Sequence, residues 1–281
     1  MHKIKTYFRS LFAALKIEVR EHRSSFLVYS ILRALVILVL IRQIMLGNYE
    51  NIFTCILTLL LFLVPSFVQL TFKVELPIFL EILILVFIYA AEILGEIDNY
   101  YFSIPYWDTI LHTINGFVCA AVGFSTVNLL NRSQKIQFTL SPIYMAIVSF
   151  TFSMTIGVLW EFFEFSMDRF FEMDTQKDTL ITTIHSAGVD ESIPGFTMED
   201  IHEVTLNKEV VSEKGYIDIG LIDTMEDLFV NFIGAGIFSI CSFFYVKNQD
   251  RFVFIQNFIP KKKEQDKDYL KQEIKNRVES D

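Results

Sequence analysis

Positive charge is the first thing this sequence is short of. It has 24 Lys and Arg against 33 Asp and Glu, a formal net charge of -9. No basic face is available for nucleic acid, and that class of partner is excluded. Cysteine is scarce too: Cys55, Cys119 and Cys241 all fall inside long apolar runs. They read as small packing residues and exclude a disulfide framework. No nucleophile motif, phosphate-cradling loop or internal repeat is present. Nor is there a short hydrophobic run with an A-x-A-like cleavage site, so the N-terminus is expected to stay attached.

What the chain has in abundance is apolar surface. Hydrophobic residues make up 52% of 281 positions, with 29 Phe, and mean hydropathy is positive. The apolar residues are bunched into windows near the roughly 20 residues that cross a bilayer. Ile52 to Leu63 is apolar all round, which a water-soluble helical bundle does not tolerate. The expected fold is all-α: a polytopic transmembrane helical bundle of six spans, at about 26–46, 50–71, 76–95, 106–130, 140–165 and 220–246.

Three further segments frame this membrane domain, 26–246. Residues 1–25 carry Lys3, Lys5, Arg9, Lys16, Arg20 and Arg23, with Ile4, Phe8, Leu11, Phe12, Leu15 and Val19 at helical spacing. That pattern predicts an amphipathic helix on a membrane surface. The connection 169–219 is acidic, and Val204 to Leu206 and Val210 to Ile217, separated by Asn207 and Lys208, read as a β-hairpin. Residues 247–281 mix charges densely and read as a solvated tail. Lys and Arg in the N-terminal segment, at Lys73, at Arg132 and Lys135, and in the tail assign those segments to the cytoplasm, with both termini inside. The acidic 169–219 loop and the Glu96 to Pro105 connection are then expected outside.

That orientation gathers the polar residues of the spans at one level. The fourth span begins outside with Asp108 and His112, one helical turn apart. The fifth ends there with Glu161, Glu164 and Asp168, which share a face. The sixth begins there with Asp223 and Asp227, and Glu92 and Glu96 end the third. Trp107 and Trp160, the two tryptophans, flank the level as an interfacial belt would. Carboxylates converging in a dehydrated place must share protons, face water or find a cation. Arg169, Lys177 and Lys214 are the nearby cations in sequence.

A bound divalent metal is therefore the sharp expectation. Glu161, Glu164, Asp168, Asp223 and Asp227 are the expected ligands, and Asp108 and His112 the catalytic pair. Asn115, Asn231 and Glu92 support them. An oxygen-rich set with one imidazole suits Mg, Mn or Ca better than structural zinc. Taken singly, Asp108 and Asp223 are accounted for as helix N-terminal charges. His185 and His202 read as surface residues of the loop. Depth along the helices pairs Arg33 with Glu81 as a structural ion pair and sets Arg42 at the level of Glu92 as a possible anion-binding residue.

At WDTILHTINGF, GVLWEFFEFSMDRF, MDTQKDTLI and GYIDIGLIDTMEDLFVNFIGA the sequence resembles the YjdF-like bacterial inner-membrane proteins, over roughly Phe26 to Tyr245. A more distant similarity is to VanZ-like membrane proteins, through Asp108 with His112, Glu161, and Asp223, Asp227, Asn231 and Gly234. Thr109 and Glu164 depart from that pattern, where a basic residue and Gln are usual. The first resemblance implies a bacterial cytoplasmic membrane and a helical bundle, with no chemistry attached.

Three function classes follow. The first is a metal-assisted enzyme at the outer leaflet, acting on a lipid or cell-envelope substrate such as a phosphate. In the second, a cation or proton transporter or channel, the acids form a vestibule. The third is a structural or regulatory membrane protein whose polar cluster fixes helix packing. Glycines at Gly116, Gly123, Gly234 and Gly236 suit all three. Below Asp227 only Asn115 and Asn231 continue a polar path, which sets the enzyme ahead of the transporter.

Overall fold

The computed structural model of the chain describes residues 2–20, 23–131, 140–190, 192–248 and 250–280. Arg132 and Lys135, two of the cations that assign the cytoplasmic side, and Glu191 of the long loop lie outside them. Ten α-helices run in order among the described residues: α1 (His2–Glu18), α2 (Arg23–Leu46), α3 (Tyr49–Leu61), α4 (Val64–Phe72), α5 (Ile78–Tyr89), α6 (Tyr100–Ser103), α7 (Trp107–Asn131), α8 (Pro142–Phe171), α9 (Leu221–Lys247) and α10 (Tyr269–Ser280). Eight short strands form four separate antiparallel pairs.

Among the described residues, six helical segments are long and apolar enough to cross a membrane: Ser24–Leu46, Tyr49–Phe72, Ile78–Ile97, Trp107–Asn131, Pro142–Phe171 and Leu221–Lys247. Their ends fall within about two residues of the sequence reading, except that the fifth runs on to Phe171. Large side chains such as Leu38, Leu60, Phe79, Phe162 and Phe229 stay exposed along them. In water so much bare apolar surface would drive aggregation; in a bilayer it is the solvated face. The second span breaks after α3, where Pro65 enters the first turn of α4 with no N–H to donate.

The heart of the bundle is α7, α8 and α9, which pack on one another. Their close approach depends on small residues. A Cβ on Gly116 would lie 2.2 Å from the carbonyl oxygen of Asn231, and one on Gly234 2.0 Å from that of Thr113. Hydroxyls then join the backbones: Ser153 donates to the carbonyl of Gly116 and Ser149 to that of Ala120, both at 2.7 Å. This is helix association by small and hydroxylated residues, as membrane bundles use. Helices α2, α3 and α5 form a second apolar cluster around Tyr29, Val36, Phe62 and Leu85.

Between α8 and α9 the strands β2 (Thr179–Ile181) to β7 (Tyr216–Asp218) make three pairs: β2 with β7, β3 (Ile184–Asp190) with β4 (Ile193–Met198), and β5 (Val204–Leu206) with β6 (Glu209–Ser212). The expected hairpin is the last of these, turning at Asn207 and Lys208, both at positive φ as a tight hairpin turn demands. It stops at Ser212; the later Tyr216–Asp218 stretch pairs with Thr179–Ile181 instead, closing the base of the loop.

The region after Lys247 differs from a solvated tail. Ile255, Phe258 and Ile259 are buried in the same core cluster as Phe124 and Phe238. Phe258 meets Phe79, Phe117 and Phe238 edge-on at centroid separations of 5.4, 5.3 and 5.8 Å. Lys261–Lys262 (β8) then pairs with Val74–Glu75 (β1), and α10 lies on α1. Charge density had masked the apolar VFIQNFI stretch, and burial of such aromatics outweighs the polar flanks.

Candidate functional site

The first turns of α7 and α9 and the final turns of α8 arrive at the same end of the bundle, as the three motifs predict. Asp108 and His112 sit one turn apart on α7, and His112 Nε2 faces Asp108 Oδ1 at 3.4 Å and Asp227 Oδ2 of α9 at 3.5 Å. One ligand atom from each of the three residues lies within 4.8 Å of the others, the spacing at which one cation can be shared. Asp227 is buried and Asp108 and His112 half-buried. Asp108 stands close enough to Glu96, Glu161, Glu164, Asp223 and Asp227 for its charge to be felt at each.

Such crowding has an energetic consequence. Two like unit charges about 4 Å apart repel by about 4 kcal/mol at an effective dielectric of about 20, so this set cannot be fully ionised without a counter-charge. Glu161 is 5% exposed, and its Oε2, with Oε2 of Glu164 and the indole Nε1 of Trp107, is buried with no hydrogen-bond partner among the described residues. Buried polar atoms are normally satisfied. Three such atoms at one end of the bundle leave hydrogen-bonding capacity that the side chains around them do not use.

The third span contributes through a change of helix type. After α5 the chain continues as a π-helix, Ala90–Ile97, a feature concentrated at functional positions. It carries Glu92 and Glu96, whose charges act on one another. Tyr101, in the short connection that follows, packs its ring on Gly95, where a Cβ would come within 2.4 Å of it. Burial and the facing charges of Asp108, Glu96, Glu92 and Glu164 hold the Tyr101 phenol well above its usual value. It stays a neutral donor among acceptors.

A segment of the loop crosses the site. Asp168 Oδ1 accepts from the backbone N–H and hydroxyl of Thr175, both at 2.6 Å, and Oδ2 from the N–H of Gln176 at 2.8 Å. Gln176 donates to the Thr224 hydroxyl at 2.5 Å, and Thr224 is within hydrogen-bond reach of Glu161. The N–H of Lys177 donates to Asp223 Oδ2 at 2.8 Å. The Lys177 ammonium sits 3.6 Å from Glu96 and over the rings of Tyr101 and Phe102. Among the described residues, Lys177 is thus a cation facing several acids.

The structure therefore divides the residues singled out from sequence. Asp108, His112 and Asp227 meet directly; Glu161, Glu164 and Asp223 surround them; Glu92 and Glu96 adjoin through Tyr101. Asn115 donates to Asn231 at 3.4 Å one layer deeper. Asp168, expected as a ligand, has both oxygens engaged by the loop. Arg42 is exposed on α2, which packs on α3 and α5 rather than beside the cluster. Arg33 turns to Tyr29, one turn earlier in its own helix, at 2.5 Å, in place of the Glu81 partner expected from depth. His185 and His202 are exposed, as expected. Tyr101 and Thr224 had escaped notice: neither residue type stands out in a sequence, and only the fold brings them to the acids.

Comparison with known proteins gives one family. A profile described as "Predicted membrane protein (DUF2238)" matches residues 26–248, from the start of the first span to just past the last. No curated protein and no solved structure matches the chain.

Proposed function

The chain belongs to the DUF2238 family of membrane proteins, and on that premise we propose that the cluster around Asp108, His112 and Asp227 is a divalent-cation site of a membrane-embedded enzyme. The observation that carries this reading is the meeting of those three residues within 4.8 Å at a place where Glu161 leaves a buried carboxylate oxygen unpartnered. Oxygen ligands with one imidazole favour Mg, Mn or Ca. Asp108, His112 and Asp227 also stand in the motifs by which the sequence resembles YjdF-like and, more distantly, VanZ-like membrane proteins. By the distribution of Lys and Arg, the site faces outward across a bacterial cytoplasmic membrane, with both termini inside.

The substrate class we infer is a lipid or cell-envelope phosphate. A divalent cation supplies Lewis acidity toward a phosphoryl oxygen. Lys177 brings a positive charge to the same mouth, and Tyr101 a neutral donor. Asp223 and Asp168 hold the crossing segment through backbone N–H groups and so position Lys177. His112 is placed to hold or move a proton between Asp108 and Asp227 when it is not a ligand. The test is release of phosphate from short-chain lipid phosphates by the purified protein with Mg or Mn. Activity lost with a chelator and in Asp227→Asn is expected; equal, background-level release in every sample would overturn the enzymatic reading.

A second reading, a proton relay, is favoured by one observation. His112 Nε2 faces two carboxylates at nearly equal distances, 3.4 and 3.5 Å. Deeper in α7, α8 and α9 the sequence offers no Asp, Glu, His, Lys or Arg until Lys247, so those three helices give this relay no ionisable continuation. Proton flux into proteoliposomes that Asp227→Asn abolishes would establish it over the enzyme.

A further inference from the structure

At the other end of the molecule, away from the acidic cluster, α1 meets the start of the first span and leaves a cleft of about 340 Å³. Its walls are apolar, with Phe12, Val19 and Phe26 among them, and its polar margin is formed by Lys16, Arg20 and Arg33. No acid is among the described residues that line it. The nearest acid of α1, Glu18, is buried against Lys263 in an ion pair.

The geometry points to a binding site for one anionic phospholipid, with the phosphate between Lys16, Arg20 and Arg33 and an acyl chain against the apolar wall. Three separate features converge on that occupant. Phe12 and Lys16 lie one turn apart on one face of α1, and Arg20 stands in the turn that closes the helix, its N–H bonded to the carbonyl of Ile17 at 2.9 Å. Phe12 is 67% exposed, an aromatic left bare beside cations as at a membrane interface. Arg33 lies ten residues into α2, about 15 Å along the helix. Its guanidinium reaches back to Tyr29, donating to the hydroxyl at 2.5 Å and lying 5.7 Å from the ring centroid. That is the snorkelling posture of a cation serving the interface. Three cations, an apolar wall and no acid among the described lining residues match a monoanionic lipid, and a zwitterionic headgroup would bring its own ammonium against the same cations.

The test is native mass spectrometry of the full chain released from nanodiscs holding equal amounts of phosphatidylglycerol and phosphatidylcholine. One phosphatidylglycerol retained per chain, in preference to phosphatidylcholine, is expected. A basic residue near an anionic headgroup contributes about 1 kcal/mol, so Lys16→Gln and Arg20→Gln should each lower retention about five-fold. Both side chains are exposed, and neither change threatens folding. Lys208→Gln, in the distant β-hairpin turn, should leave retention unaltered. Val19→Trp, which fills the apolar wall, should displace the lipid while leaving any binding of inorganic phosphate unchanged. Equal retention of both lipids, or the same loss in Lys208→Gln as in Arg20→Gln, would overturn the proposal by showing diffuse surface attraction. Phosphate binding with no lipid preference would overturn it in favour of a free-anion site.

Discussion

Asp168 and Asp227 are the same residue type at the same end of the bundle, and they do different things. Asp168 holds the loop by three hydrogen bonds to Thr175 and Gln176, whereas Asp227 faces His112. Hydrogen bonds to a charged group are worth about 1.5–3 kcal/mol. Asp168→Ala is therefore expected to speed amide exchange at Thr175, Gln176 and Lys177 by about ten-fold or more, without removing any ligand atom from the Asp108 cluster. Sequence alone could not separate the two aspartates, because the partners of Asp168 are backbone groups of a loop. Asp108 and His112 were legible for the opposite reason: their relation is local, one turn of one helix.

Among the elements, the α7–α9 contact fixes the site, since it sets Asp108 against Asp227. Gly234 lies on that contact and Gly236 two residues later meets nothing within 4 Å. Gly234→Ala is expected to lower the melting temperature in detergent, at a cost of about 1–3 kcal/mol or more for overpacking. Gly236→Ala should leave it unchanged or raise it slightly through helix propensity. If both substitutions behave alike, close approach at Gly234 is not what holds the helices. The spans were readable because a bilayer demands long apolar runs whatever their neighbours. The π-helical turn at Ala90–Ile97 and the β2–β7 pairing were not: the first is a choice of hydrogen-bond register, and the second joins segments far apart in the chain.

At the scale of the whole molecule, the chain's two ends are bound together at the basic end. Glu18 and Lys263, each 2% exposed, form a buried ion pair, and Lys73 pairs with Asp268 at 2.7 Å. Removing one member of a buried pair costs about 3–5 kcal/mol, so Lys263→Ala is expected to lower the melting temperature more than Lys261→Ala, whose side chain is exposed. Burial pushes the Asp268 carboxyl up, but hydrogen bonds from Lys73 and the Lys271 N–H outweigh it and hold the group below its ordinary 3.8. The sign follows from linkage. This contribution to α10 docking is fully present above pH 4 and is lost as pH falls through the lowered value, which exchange at α10 amides should follow. Charge patterning concealed this docking in the sequence, because a run rich in Lys and Glu looks solvated until its partners are known. The acidic end showed itself through three helix motifs. The divalent site proposed there is checked by metal content and divalent-dependent thermal stability of the purified protein, wild type beside Asp227→Asn and Asp168→Asn. One bound divalent ion and a raised melting temperature are expected in the wild type and in Asp168→Asn, and neither in Asp227→Asn. Absence of binding and of stabilisation in the wild type, or metal unaffected by Asp227→Asn, would rule the site out.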